Sequence, residues 1–222
     1  MAHNQPTGSD AMTGVQVELT VSEANRLRKW GSLWVDLLHA DMALKERQDL
    51  PANLTHVFTR RALWESAVIS YGRMQFSDRK RKLTHEDLIR DAGGEEALAF
   101  HERLTEIRHN HIAHRLSPEY ETTAVVAHYS DTGDRPTILE LGVSTWIGPP
   151  DESDLAEHFR RHISAVRDTL WKTYLAPIGE ALVLRHPTRL GPASPCFPGL
   201  ESDAEHLVVS CTLWAEANGT GI

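Results

Sequence analysis

An arginine and a histidine six residues apart, Arg108 and His114, close a helical apolar stripe and define the chemistry this chain can attempt. Arginine offers a planar, permanently charged fork for a phosphate, and histidine is the side chain whose ordinary pKa suits proton transfer near neutrality. Together they suffice to cut RNA without a metal. The imidazole moves the proton of the ribose 2′-hydroxyl or of the 5′-oxygen leaving group, while the guanidinium stabilises charge on the phosphorane-like transition state. The same two residues also fit a structural role, the histidine capping a helix end and the arginine pairing with Glu106 or a carboxylate of another helix.

The stripe runs Phe100, Leu104, Ile107, His111, His114, with spacings of 4, 3, 4 and 3, so two histidines continue the face that the apolar residues bury. Arg108 flanks His111, and Asn110 flanks His114 on the other side. His111 reads as a hydrogen-bonded core histidine or as support for a cleft. His101, two turns before Arg108, lines that cleft or lies on the surface. His109 and His111 are an i, i+2 pair that shares no helix face, and His111 with His114 finds no third ligand nearby, so neither a metal nor a cofactor is expected. A histidine-based metal site is the weaker alternative.

These residues need helices to place them. Thr20 and Glu23 form a capping box ahead of Leu27, Trp30, Trp34, Leu37 and Leu44, which predicts a helix over about 21–48, interrupted by Asp41 and broken at Leu50-Pro51. A second helix, about 52–77, carries the stripe Phe58, Ala62, Ile69, Arg73 and Phe76, with small Ser66, Ser70 and Gly72 that allow close approach. A turn at Thr84 to Asp87 and the pair Gly93-Gly94 precede a third helix, about 95–115. Residues 122–130 and 137–147 are β-branched around Asp131-Thr-Gly-Asp134 and read as a hairpin. A fourth helix opens at Asp151 to Asp154 and shows Leu155, Phe159, Ile163, Val166, Leu170 and Tyr174 as its stripe, bent or ended by Pro177 and Gly179. Trp30, Trp34, Trp64 and Trp171 fall in or beside the stripes and read as core or dimer interface.

The expected fold class is therefore mainly α, a four-helix bundle with a small antiparallel β-hairpin or sheet appendage. Residues 1–19 form a disordered N-terminal segment, 20–184 the helical domain with the hairpin inserted at about 122–147, and 185–222 a Pro-rich loop ending in a further strand at His206 to Trp214.

Charge limits the partners. The 222 residues hold 23 Lys+Arg against 31 Asp+Glu, a formal charge of -8, which excludes a surface that is basic all over. The imbalance is uneven, because Arg60 to Lys82 carries seven positive residues against two acidic ones, net +5, and leaves -13 elsewhere. Arg73, Arg79, Lys80, Arg81 and Lys82 are the candidate RNA-binding residues, or else a solvated turn. Two cysteines in the last 30 residues exclude a disulfide scaffold, and the absence of a long apolar run or signal-peptide plan points to a cytoplasmic protein with no membrane partner.

The segment Arg108-His109-Asn110-His111-Ile112-Ala113-His114 resembles the arginine-to-histidine signature of the HEPN superfamily. The preceding Ala62-Leu-Trp64 through Ala67, Tyr71-Gly-Arg73 and Phe76, the basic link and His101 are similar to a group of uncharacterised bacterial HEPN-like proteins. The resemblance spans roughly residues 20–180 and is sharpest over 60–120. It implies a HEPN-like bundle that homodimerises and brings two Arg/His pairs into one cleft. It also implies metal-independent endoribonuclease activity of the kind found in toxin-antitoxin and phage-defence systems, with Arg108 and His114 as the catalytic pair, RNA or a nucleotide as ligand and an antitoxin or defence protein as partner. Other members have lost activity and only bind RNA or nucleotides or act as dimeric scaffolds. Members controlled by modification of a tyrosine carry it two residues after the histidine, where this chain has Leu116.

Overall fold

A computed structural model describes residues 19, 21–76, 84–114, 121–130, 137–147, 149 and 154–185. The expected N-terminal segment apart from Leu19, the basic link with Arg79, Lys80, Arg81 and Lys82, and the expected C-terminal loop and strand apart from Arg185 lie outside these residues. What is described is mainly helical with one two-stranded antiparallel sheet, as the patterning predicts.

Helix α1 (Ser22–Asp49) buries Trp30, Leu33, Leu37, Ala40 and Leu44 along one side. It stops because Leu50 precedes Pro51 and takes extended angles, φ -80 and ψ 135, as a pre-proline residue must. Its last carbonyls are capped from the next helix, Arg60 donating to Arg47 O at 2.6 Å and also to Leu50 O. Asn53 then folds the link into a turn, its Oδ1 and its carbonyl both accepting from the His56 N–H, and this delays helix α2 to Val57–Phe76.

The buried side of α2 is not the predicted one. Trp64, Ala67, Val68, Tyr71 and Met74 face the core, whereas Phe58, Ala62, Ile69 and Arg73 lie on the opposite side of the helix. Phe58 is 74% exposed. Both sides of this helix carry apolar residues, and the larger aromatic area of Trp64 and Tyr71 takes the interior.

Helix α3 (His85–Ile107) begins ten residues earlier than predicted, with a break inside it. Gly94 takes φ 67 and ψ -156, a conformation essentially reserved for glycine, so the segment before it joins the segment after it at an angle. At its far end α3 opens into a π-helical turn, Arg108–Ala113, rather than continuing as an α-helix to residue 115.

Strands β1 (Glu121–Tyr129) and β2 (Ile138–Ile147) pair with Val125 opposite Val143 and Ala127 opposite Leu141, and a bulge at Leu139 shifts the register before Tyr129 meets Ile138. The helices barely touch this hairpin. Helix α4 (Leu155–Thr169) buries Leu155, Phe159, His162, Ile163 and Val166. A second π-helical turn, Leu170–Leu175, leads into α5 (Ala176–Arg185), so the rod continues through Pro177 where the sequence predicts a bend or stop. The wider turn just upstream accommodates the ring that would collide with a regular α-helical carbonyl.

Aromatic edges lock the rods together, Trp30 on Tyr174 at 4.9 Å, Trp64 on Phe159 at 5.8 Å and Trp34 tilted on Trp171 at 5.6 Å between ring centroids. Asp41, which interrupts the stripe of α1, accepts from Arg167 at 2.7 Å and pairs with Arg160 at 3.6 Å, both from α4. Among the described residues no helix is long and apolar enough to cross a membrane.

Candidate functional site

The π-helical turn decides where the predicted site residues go. A π turn holds more residues than an α turn, so the i, i+3 and i, i+4 relations that align one face are lost across it. His111 stays on the buried side, but His114 turns out to be exposed, which corrects the expectation that both continue the apolar stripe. The run Arg-His-Asn-His is made of weak helix formers apart from its arginine, which lowers the cost of leaving α geometry.

Arg108 lies half-buried with its side chain across Gly72 of α2, close enough that a methyl group there would overlap Arg108 Cδ. The small residue that permits close approach is thus used by an arginine stem rather than by a whole helix. Glu106 accepts from Asn110 Nδ2 at 3.4 Å. His109 and His114 are exposed and stand edge to face, their ring centroids 4.8 Å apart. Arg73, one position beyond Gly72, is mostly exposed and reaches Asp36 of α1 at 3.5 Å.

His101 departs from this group. It is only 3% exposed, and its Nδ1 lies 2.7 Å from the hydroxyl of Tyr71, which lies 2.7 Å from Nε2 of His162. One hydroxyl has one proton to give, so Tyr71 donates to one ring and accepts an N–H from the other, and the two neutral imidazoles take opposite roles. Phe100, stacked on His158 at 3.9 Å, and His85, 5.3 Å from His101, complete the surroundings. Burial, reinforced by His85, lowers the His101 pKa to about 4; burial, reinforced by His101 and His158, lowers that of His162 to about 4. Burial also pushes the Tyr71 hydroxyl well above its ordinary value. Tyr71 and His162 were missed from sequence, although His162 sits three residues after Phe159 and four before Val166, on the apolar face of α4.

Beside this cluster lies a pocket of about 410 Å³ lined by His85, His101, His109 and Asn110 together with Glu86, Glu102 and Glu106. Three of the four predicted supporting residues, His101, His109 and Asn110, therefore do meet in one cleft, but among carboxylates. Such a lining repels a phosphate and suits a neutral or cationic group. A second pocket, of about 450 Å³, is lined by Arg47, Arg60 and Arg160, yet their guanidinium groups serve the fold. Arg60 caps α1, Arg47 donates to Pro149 O at 3.2 Å, and Arg160 donates to Gln48 at 2.7 Å. Among the described residues no three His, Cys, Asp or Glu side chains converge as metal ligands.

Fold and site together define a mainly helical protein in which a partly exposed Arg/His turn stands at the end of a helix whose middle holds a buried His–Tyr–His cluster. No protein-family model matches the chain, and no curated protein and no solved structure is significantly similar to it.

Proposed function

We propose that this chain is a HEPN-like, metal-independent endoribonuclease that acts as a homodimer in the cytoplasm, in a toxin-antitoxin or phage-defence setting. The observation that carries the reading is the π-helical turn, which seats Arg108 against Gly72 and leaves His109 and His114 exposed side by side. Interruptions of this kind are frequent at functional sites, where they re-aim side chains that a regular helix would bury.

In this reading Arg108 binds the scissile phosphate. One imidazole, that of His114 at the end of the turn, takes the proton of the 2′-hydroxyl as its oxygen attacks phosphorus, and the departing 5′-oxygen receives a proton from a second imidazole, which in this reading is that of His109. The products are a 2′,3′-cyclic phosphate and a free 5′-hydroxyl. Arg73 and the basic residues 79–82 would hold the RNA backbone. The exposed Phe58, Met42 and Ile69 on the outer faces of α1 and α2 support self-association.

The test is purified protein with RNA in EDTA. Cleavage leaving a cyclic phosphate end, and lost in Arg108→Ala and His114→Ala, is the expected result; cleavage equal in all three proteins sinks the assignment. The second reading, a non-catalytic RNA- or nucleotide-binding or scaffold protein, is favoured by one observation, the three carboxylates lining the pocket that His109 and Asn110 share. Binding of RNA without turnover by the unmodified protein would select it.

A further inference from the structure

The hairpin presents one uncharged face to solvent. Directly opposed residues of an antiparallel pair share a face, so Thr123, Val125, Ala127 and Tyr129 of β1 lie beside Thr145, Val143, Leu141 and Ile138 of β2. None of these residues is charged. Val125, Tyr129, Ile138, Leu141 and Val143 leave 52–73% of their surface open, with half-buried Ala127 between them. At the end of the face the hydroxyls of Thr123 and Thr145 bond each other at 3.1 Å, so covering them gives up little hydration. The register positions of the other face are mixed, Thr122, Ala124, Val126 and His128 against Trp146, Ser144, Gly142 and Glu140, and there His128 stands opposite a carboxylate.

We infer that the uncharged face is an interface with a second copy of this chain, hairpin packed on hairpin about a two-fold axis. Such an axis sets one patch against itself, and a face whose threonines already bond each other accepts this without burying a charge. The five open side chains amount to roughly 600 Å² per copy, at the upper limit of what a monomer ordinarily exposes in one patch. The pair would bury about 1,200 Å², the area at which specific interfaces begin.

Two strands alone are marginally stable in water, whereas two hairpins face to face, about 10 Å apart, make a four-stranded sandwich with a core of its own. The described helices barely touch the hairpin and leave this approach open. The interface is separate from the outer faces of α1 and α2, and it holds whether or not the chain cleaves RNA.

Mass in solution tests this on the full chain. The unmodified protein should assemble, and Val143→Glu should halve its mass, because two copies would set carboxylates into one apolar seam. Ser144→Glu, on the opposite face, should leave the mass unchanged. A monomeric unmodified protein overturns the inference and hands the face to another part of the chain or to another protein. Equal masses in all three proteins, or equal loss in both variants, overturn it as well.

Cross-linking reads proximity independently. With Cys196 and Cys211 replaced by serine, Val125→Cys should join two chains through a short bismaleimide roughly tenfold faster than Ala124→Cys. Equal rates would refute the packing. Adding Phe58→Glu should leave the Val125→Cys link intact; its loss would assign the contact to the helices instead.

Discussion

His101 and His109 stand two turns apart on one helical rod and line the same pocket, yet they meet opposite surroundings. His101 is sealed against Tyr71 and His162 and kept neutral by burial, whereas His109 stands exposed against the ring of His114. The difference is made by position along the rod. His101 falls where α3 packs against α2 and α4, and His109 falls on the exposed side of the π turn. Histidine is thus used twice, once as a shaped neutral hydrogen-bonding group in the core and once as an accessible imidazole, and the two uses should respond to perturbation in opposite ways.

The sharpest separation is between activity and stability. On the proposed function, Arg108→Ala should lower RNA cleavage by roughly 10² to 10³-fold while moving unfolding free energy by less than about 1 kcal/mol. Denaturant titration beside the cleavage assay checks both; a loss of several kcal/mol in this variant would make the turn structural and erase the contrast. His162→Ala should do the reverse, costing roughly 3 kcal/mol because it opens a cavity and strips the Tyr71 hydroxyl of a partner.

Acid should unfold the protein through the buried cluster. Ordinary histidines in the unfolded chain take up protons as the pH falls below about 6.5, whereas His101 and His162 in the fold resist until about 4. The unfolded state therefore binds more protons in this window, and stability falls as pH drops from 6.5 to 4, with a slope approaching about 1.4 kcal/mol per pH unit for each histidine. Urea midpoints measured across that range should lose about half of this slope in His162→Ala.

Two glycines give smaller effects, one for each region. Gly94→Ala forces a side chain into a glycine conformation at the joint that brings His85 against His101, and should cost about 1–3 kcal/mol by thermal or denaturant unfolding. Gly72→Ala should cost less than about 1 kcal/mol, since the flexible arginine can swing aside and alanine favours the helix. Cleavage should nonetheless fall, because Arg108 leaves its seat; full activity in this variant would show that the seat is irrelevant.

Where burial followed a local period, it was legible. Leu37, Leu44, Phe159 and Ile163 are interior as their spacing predicts, and the hairpin pairs over the predicted residues. The buried face of α2 was misread because Phe58 and Ile69 mark one side of that helix and Trp64, Val68 and Tyr71 the other, a choice that only the neighbouring helices make. The cluster of Tyr71, His101 and His162 joins residues 30 and 91 positions apart, so no local spacing announces it. The π turn was equally invisible, because every residue from Phe100 to His114 fits an α-helical wheel until the turn widens.

Asp41, the residue that breaks the apolar stripe of α1, sets a mechanical constraint. Its carboxylate faces Arg160 and Arg167, two arginines seven positions apart on α4. A single point held by two groups two turns apart acts as an index mark. If α4 slides by one turn or rolls about its axis, at least one guanidinium loses this carboxylate, and Arg160 keeps only the Glu157 of its own helix. An apolar seam tolerates such sliding because leucines and alanines repeat with the helix, and it supplies adhesion without fixing alignment. One acidic residue in the seam supplies the alignment, and with it the placement of His162 opposite Tyr71.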